Sequence, residues 1–298
     1  MRHKYQLYLR RLLLAGAGIL LLPVTFYGWL CFQRPPQTNL EKVLFNGITY
    51  KRISLSTPRP VMMHIVTIDL TTPGIKALVT PNTNPGDSRE TTAQTTSEFV
   101  KKSKLQLAIN ASHFHHFYEK SPWDYHPHSG DPSYPIGEAI SNGFRYSPPE
   151  KNWPVLCISA TNRAQIFKSE SCPKGTTQGV AGNQVLVYDG RSAISNLVSD
   201  KPYPRVAAAV NREGTKLWLI AVDGKQPLYS DGLTIAELTK ATLDLGAYTA
   251  LNLDGGGSTT LVMATNDEPK VLNAPIHTRV PMRERPVGNH LGFYANSQ

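Results

Sequence analysis

Short runs of apolar and β-branched residues, broken by turn residues, dominate the pattern along this chain and predict strands. Residues 61–70 (VMMHIVTIDL) form one such run, Thr72-Pro73-Gly74 turns it, and residues 75–80 form the next. Residues 91–102 are predicted as a helix, opened by Thr91-x-x-Gln94 in the manner of a capping box. Residues 104–110 return as a strand. Residues 117–135, rich in Pro, His and aromatics, have no regular pattern and are expected as a long loop, of the kind that is often functional. Residues 155–160, 164–168 and 184–188 are further short strands. Arg205–Val210 and Lys216–Val222 flank Asn211-Arg212-Glu213-Gly214, a hairpin signal. At Thr234 the period changes. Thr234-x-x-Glu237 is a capping box, Ile235, Leu238, Thr242 and Leu245 share one helical face, and Gly246 stops the helix. Residues 248–253 are the last strand of this series. The pattern predicts an α+β fold, mixed β-sheets flanked by helices, in a single globular domain.

That last strand ends in the most unusual stretch of the chain, Asn252-Leu253-Asp254-Gly255-Gly256-Gly257-Ser258-Thr259-Thr260. Glycines pack nothing and cost conformational entropy, so three together suggest a backbone that something approaches closely. Their N–H groups can form an anion nest, with the Asp254 carboxylate beside it as nucleophile, base or metal ligand. A tight turn with a capping Asp is the plainer reading. Arg205 opens one strand and Asp223-Gly224 follows another, so an arginine suited to bidentate phosphate contact and a second carboxylate also fall at strand ends. Asn110 and His113 follow the strand at 104–110. His113, His115, His116, His126 and His128 make five of the nine histidines. Their spacing fits no zinc motif, and the sequence leaves use of a divalent metal open. Glu138 and the turn pair Asn142-Gly143 form a third cluster.

The chain has 298 residues and a formal charge of +9, but the charge is uneven. Residues 1–34 hold five basic and no acidic residues, leaving 26 of the 31 basic residues against all 22 acidic ones. The remainder is close to neutral and has no nucleic-acid motif, so nucleic acid is not expected as a partner. Residues 12–32 carry no charge and follow Arg10-Arg11, a length that can span a bilayer with its basic end in the cytoplasm. Tyr27, Trp29 and Phe32 suit an interface better than a cleavage site, which favours an uncleaved anchor over a signal peptide. The expected organisation is a basic stub (1–11), a transmembrane signal anchor (12–32), a linker (33–45) and one domain (46–298). That domain is expected outside the cytoplasm, periplasmic or extracellular. Export makes a Cys157–Cys172 disulfide plausible, which would stabilise by roughly 3 kcal/mol.

Five segments, in order, resemble those of the phosphodiester glycosidase family. They are Ala108-Ile109-Asn110-Ala111-Ser112-His113-Phe114, Tyr203-Pro204-Arg205-Val206-Ala207-Ala208-Ala209, residues 221–234 (AVDGKQPLYSDGLT), residues 250–260 (ALNLDGGGSTT) and Arg285-Pro286-Val287-Gly288-Asn289-His290. Ala111-Ser112-His113 departs from the family's glycine pair after the Asn. The resemblance implies hydrolysis of a sugar-1-phosphodiester at the anomeric carbon, releasing free sugar and a phosphomonoester. It implies Asp254 as the carboxylate that activates water or attacks, with Asp223 as its partner. Arg205, Asn252, Gly255, Gly256, Gly257, Ser258 and Thr259 would hold the phosphorylated glycan, together with Asn110, His113, Glu138, Asn142 and Asn289. Two other readings fit the same residues: a metal-dependent phosphodiesterase that cleaves P–O, and a non-catalytic envelope module that binds anionic glycans.

Overall fold

In the strand Lys216–Val222, Leu217, Leu219 and Ala221 enter one apolar cluster while Trp218, Ile220 and Val222 enter another. Successive strand side chains point to opposite faces, so a strand apolar at every position from Leu217 to Val222 must be covered on both sides. In the computed structural model it is. The structure describes residues 5, 22–83, 89–168, 171–194 and 200–296. Lys216–Val222 lies inside an eight-stranded sheet in the order Leu40–Phe45, Ile48–Leu55, Val61–Asp69, Lys216–Val222, Arg205–Val210, Thr249–Leu253, Gln184–Tyr188, Arg191–Ser192. One face packs on a helix, Ile235–Asp244, through Ile235 and Leu238. The other face packs on two five-stranded sheets.

The first of these is built around Leu107–Asn110, with His290–Tyr294 on one side and Leu261–Met263 on the other. The second is centred on Thr176–Ala181 and Val155–Ser159. Their Leu107, Ile109, Leu156, Ile158 and Val180 meet Val66, Ile68, Val206, Leu219 and Leu251 in the main core. The Cys157–Cys172 disulfide is present, its Cα atoms 5.6 Å apart, and it fastens the strand Val155–Ser159 to the segment that follows residue 170.

Several expectations are corrected. The sheets are not mixed: every pairing of named strands among the described residues is antiparallel. Parallel neighbours need long crossover connections, and among the described residues the domain has two α-helices, Thr96–Ser103 and Ile235–Asp244, to supply them. The first starts five residues later than expected. Thr95 and Glu98 make the capping box, while the Thr91 hydroxyl is buried and donates to the carbonyls of Ser133 and Gly288. Residues 117–135 are not structureless. They hold a hairpin, Tyr118–Ser121 with Asp124–His126, and the strand Pro132–Pro135. The strand Leu40–Phe45 lies within the stretch expected as a linker. Of the expected membrane span 12–32, residues 12–21 lie outside the described residues, and 22–32 are largely helical and mostly exposed. No helix among the described residues is long and apolar enough to cross a membrane.

Candidate active site

The strands Thr249–Leu253 and Leu107–Asn110 belong to different sheets, and their ends meet at one loop. Asn110 joins them: its Nδ2 donates to the Asp254 carbonyl at 2.6 Å, and its Oδ1 accepts from the Thr260 amide at 3.0 Å. One asparagine therefore holds both ends of the glycine loop. Asp254 N–H donates to the Ala111 carbonyl at 2.9 Å. Asn289, fully buried, accepts from Ser112 N–H and donates to the Tyr146 hydroxyl at 2.9 Å, fixing the segment that leads to His113.

The three glycines are explained by protein groups pressing on them. A Cβ on Gly255 would meet the Pro204 carbonyl oxygen at 2.5 Å, and one on Gly257 would meet Arg285 Nη2 at 2.4 Å. Gly256 has φ +62°, in the left-handed region that glycine enters freely. Two of the three glycine N–H groups are already engaged within the protein. Gly256 N–H donates to Pro204 O, Ser258 N–H to Gly255 O, and Gly255 N–H to the Asp254 carboxylate.

A cavity of about 860 Å³ opens over this loop. His113 Nε2 stands 3.6 Å from Asp254 Oδ1 in it. Asp254 is held above the ordinary carboxylate range by burial, opposed by His113, the Ser258 hydroxyl, Arg285 and the Gly255 amide. Arg285 is buried. Its Nη1 donates to Ser258 Oγ at 3.1 Å, its Nε to His277 Nδ1 at 3.2 Å, and its Nη2 to Glu119. Burial, with Arg285 and Arg283 nearby, pushes His277 down to about 3, so it accepts from Arg285 as a neutral ring. Asn252 donates to Asn183 at 2.8 Å, while its own Oδ1 is buried with no partner among the described residues. The site therefore pairs a carboxylate of raised proton affinity with an imidazole, beside a buried guanidinium.

The matching model is that of the phosphodiester glycosidases, and it covers residues 103–294, most of the chain and every one of these groups except Tyr27, which also lines the cavity. The chain belongs to the phosphodiester glycosidase family. No curated protein sequence matches it. Among solved structures it is similar to a hypothetical protein from Synechocystis (TM-score 0.64, 16% identity, 89% of this chain and 64% of that one). The chain thus spans less than two thirds of that protein. It is also similar to the zebrafish N-acetylglucosamine-1-phosphodiester alpha-N-acetylglucosaminidase catalytic domain auto-inhibited by pro-peptide (TM-score 0.55, 20% identity, 91% and 93%). A third is a putative exported protein from Burkholderia pseudomallei (TM-score 0.56, 14% identity, 78% and 74%). At these identities the likeness concerns the fold.

In this member of the family the residues expected at the site divide. Asp254, His113, Asn252, Arg205, Gly255, Gly256 and Gly257 line the cavity. Arg205 does so with its guanidinium engaged by Asp200 at 2.6 Å and by the Leu233 carbonyl. Ser258 acts from beneath, on Asp254 and Arg285. Asn110 and Asn289 position the loops, and Thr259 is buried with its carbonyl accepting from Asn273. Asp223, Glu138 and Asn142 are elsewhere. Asp223 is buried among His64, Asn273 and the Ala274 amide, each at 2.9 Å. Glu138 binds Arg145 at 2.5 Å and the Cys172 amide at 2.7 Å, and burial raises its carboxyl. Asn142 makes a turn at φ 51° and accepts from Gln178.

The histidines do not gather on one point. His115 stacks on Tyr134, while His126 and His128 face Asp131 at 3.3 and 3.6 Å. No group of three or more potential ligands among the described residues could hold a metal ion. Sequence reasoning missed Glu119, Asn183, Lys225, Arg279 and Arg285, all of which line the cavity. Arg285 opens one of the five family-like segments, so the signal for it was present. Glu119 sits in the hairpin that was expected to be a loop.

Proposed function

We propose that this protein hydrolyses a sugar-1-phosphodiester at the anomeric carbon. The observation that carries the reading is the Asp254–His113 pair beside the buried Arg285 in one cavity of a phosphodiester glycosidase domain. Water attacks C1 as the C1–O bond breaks, and the bonding pair leaves with the phosphate. Arg285 stabilises the charge that grows on that leaving group, which needs little protonation. Asp254 takes the proton from water, and His113 holds the carboxylate in place and can pass the proton on. A carboxyl raised by burial is suited to this work at mild pH. Glu119 is the second carboxylate of the cavity, in the place the sequence reading gave to Asp223. The products are free sugar and a phosphomonoester.

The zebrafish relative's name supplies the first sugar to try, N-acetylglucosamine. The apolar stretch 12–32 supports a membrane-anchored protein whose domain faces an envelope or extracellular glycan. The deciding assay incubates the full chain with a panel of sugar-1-phosphodiesters in ¹⁸O-water, with and without chelator. Labelled free sugar with unlabelled phosphomonoester is expected. Sugar-1-phosphate with the label on phosphorus would establish P–O cleavage instead. Saturable binding without any product would establish a glycan-binding module.

A further inference from the structure

The stretch between the N-terminal helix and the first strand is bound to the domain along its length. Gln37 Nε2 donates to the carbonyls of Leu228 and Tyr229 at 3.2 and 3.1 Å. The Tyr229 hydroxyl donates to the Pro35 carbonyl at 2.9 Å, and the Arg34 guanidinium lies 5.1 Å from the centre of the same ring. On the other flank Arg52 donates to the Thr38 carbonyl and hydroxyl at 2.8 and 2.9 Å.

This clamp adjoins the mouth of the cavity. Lys225, three residues before Leu228, lines the cavity and donates to the Tyr203 hydroxyl at 2.7 Å. Tyr27, on the helical segment 22–32, lines the same cavity. Leu22, Val24, Phe26 and Trp29 of that segment are exposed, and Phe32 is 89% exposed. Leu228, beside the clamp, is 91% exposed. Two rim cations, Lys225 and Arg279, are exposed as well.

These features converge on one occupant of the exposed face. The segment is the C-terminal end of an uncharged stretch long enough for a bilayer, and Tyr27 and Trp29 are residues of the membrane–water interface. Were residues 33–39 free, they would let the domain range roughly 20–25 Å from its anchor. Clamped, they allow almost no reach, and the basic rim residues Lys225 and Arg279 have the charge to meet a layer of lipid phosphates. We propose that the clamp holds the catalytic cavity against the bilayer surface, so that the substrate is a sugar phosphodiester carried by a membrane lipid. This rests on the glycosidase reading above.

The test uses the full chain in phosphatidylcholine vesicles with two probes. One is soluble N-acetylglucosamine-1-phosphoryl-glycerol, and the other is its diacylglycerol counterpart in the same vesicles. The variant carries fifteen Gly/Ser residues inserted between Gln33 and Arg34, which leaves the clamp intact and frees the domain from the helix. We expect the insertion to lower the ratio of lipid-probe to soluble-probe turnover about tenfold, with soluble kcat/KM unchanged. An unchanged ratio overturns the proposal. A second readout is independent of turnover: Leu228→Cys, in a Cys31→Ser background, labelled with a fluorophore. Nitroxide on the lipid headgroups should quench it, and the insertion should relieve the quenching. An unquenched label, as when the helix packs on a second copy of this chain, overturns the proposal even with both probes active. Quenching with neither probe hydrolysed counts against the glycosidase reading for this sugar and leaves the membrane placement standing.

Discussion

Asp223 and Asp254 both follow the last residue of a strand in the large sheet, in the same glycine-rich style, yet the two strand ends are opposites. Both oxygens of Asp223 are engaged by the protein: His64 on one, Asn273 and the Ala274 amide on the other. His64 is itself held by the Tyr50 hydroxyl at 2.8 Å. Asp254 has an imidazole at 3.6 Å, an arginine within influence, and a cavity in front of it. The difference comes from strand parity. Leu217, Leu219 and Ala221 face the main core, and Asp223 continues that row inward to meet His64. Asp254 leaves its strand on the other parity and is carried to the surface by the glycine turn. A carboxylate with all its partners is scaffold, and one left with reactive capacity is a candidate for chemistry.

Four substitutions or titrations would break or sharpen this contrast. The largest effect is expected for Asp254→Asn, which should lower kcat by about 10³–10⁴-fold with the melting midpoint unchanged or higher. Substantial residual turnover would remove Asp254 from the chemistry. Next, Asp223→Ala should cost about 3–5 kcal/mol by leaving His64 and its neighbours unpaired in the core. Urea unfolding measures it, and molecules that remain folded in the cold should keep wild-type kcat. Loss of turnover at intact stability would restore Asp223 to the site. Arg285→Ala should lower kcat by about 10²–10³-fold through the leaving group, leaving binding of the free sugar unaltered in a calorimetric titration.

The smallest effect is a pH dependence. The folded-state pKa of Asp254 is raised by burial, so its proton is held more tightly in the native state than in the unfolded one. The wild type is therefore most favoured at pH below the ordinary carboxylate value and loses stability as pH rises from there through the raised value. Asp254→Asn lacks this loss, and its melting midpoint should overtake the wild type's across that window. Parallel curves would mean that the carboxyl is not desolvated.

The contrast was only half legible beforehand. Residues 205–210 and 216–222 are apolar on both parities, so no periodicity distinguishes the inward face from the helix-covered one. The direction of Asp223 therefore could not be read. The glycine loop could be read as a close approach, but the approaching groups, Pro204 and Arg285, come from distant segments. Helix Ile235–Asp244 was evident because cap, face and stop agree locally. Helix Thr96–Ser103 was placed too early because Thr91 and Gln94 imitate a cap, while tertiary bonds to Ser133 and Gly288 had already claimed Thr91. Glu119 lay in a stretch whose polar, aromatic composition conceals a hairpin that pairs mainly with itself.

The strand Val61–Asp69 pairs with Lys216–Val222, and His290–Tyr294 lies between Leu107–Asn110 and Lys76–Val79. Val61–Asp69 thus has only Ile48–Leu55 beside it, and Lys76–Val79 and Leu107–Asn110 have no strand partner, until the late third of the chain has been made. Such long-range pairing is slow to form. A nascent chain arrested before residue 290 would have its large sheet but lack the strand that joins Lys76–Val79 to Leu107–Asn110. The cavity, which draws on residues from Tyr27 to Arg285, cannot be complete in a chain that stops short of residue 285. A complete cavity in this protein is therefore a report that folding has gone to completion.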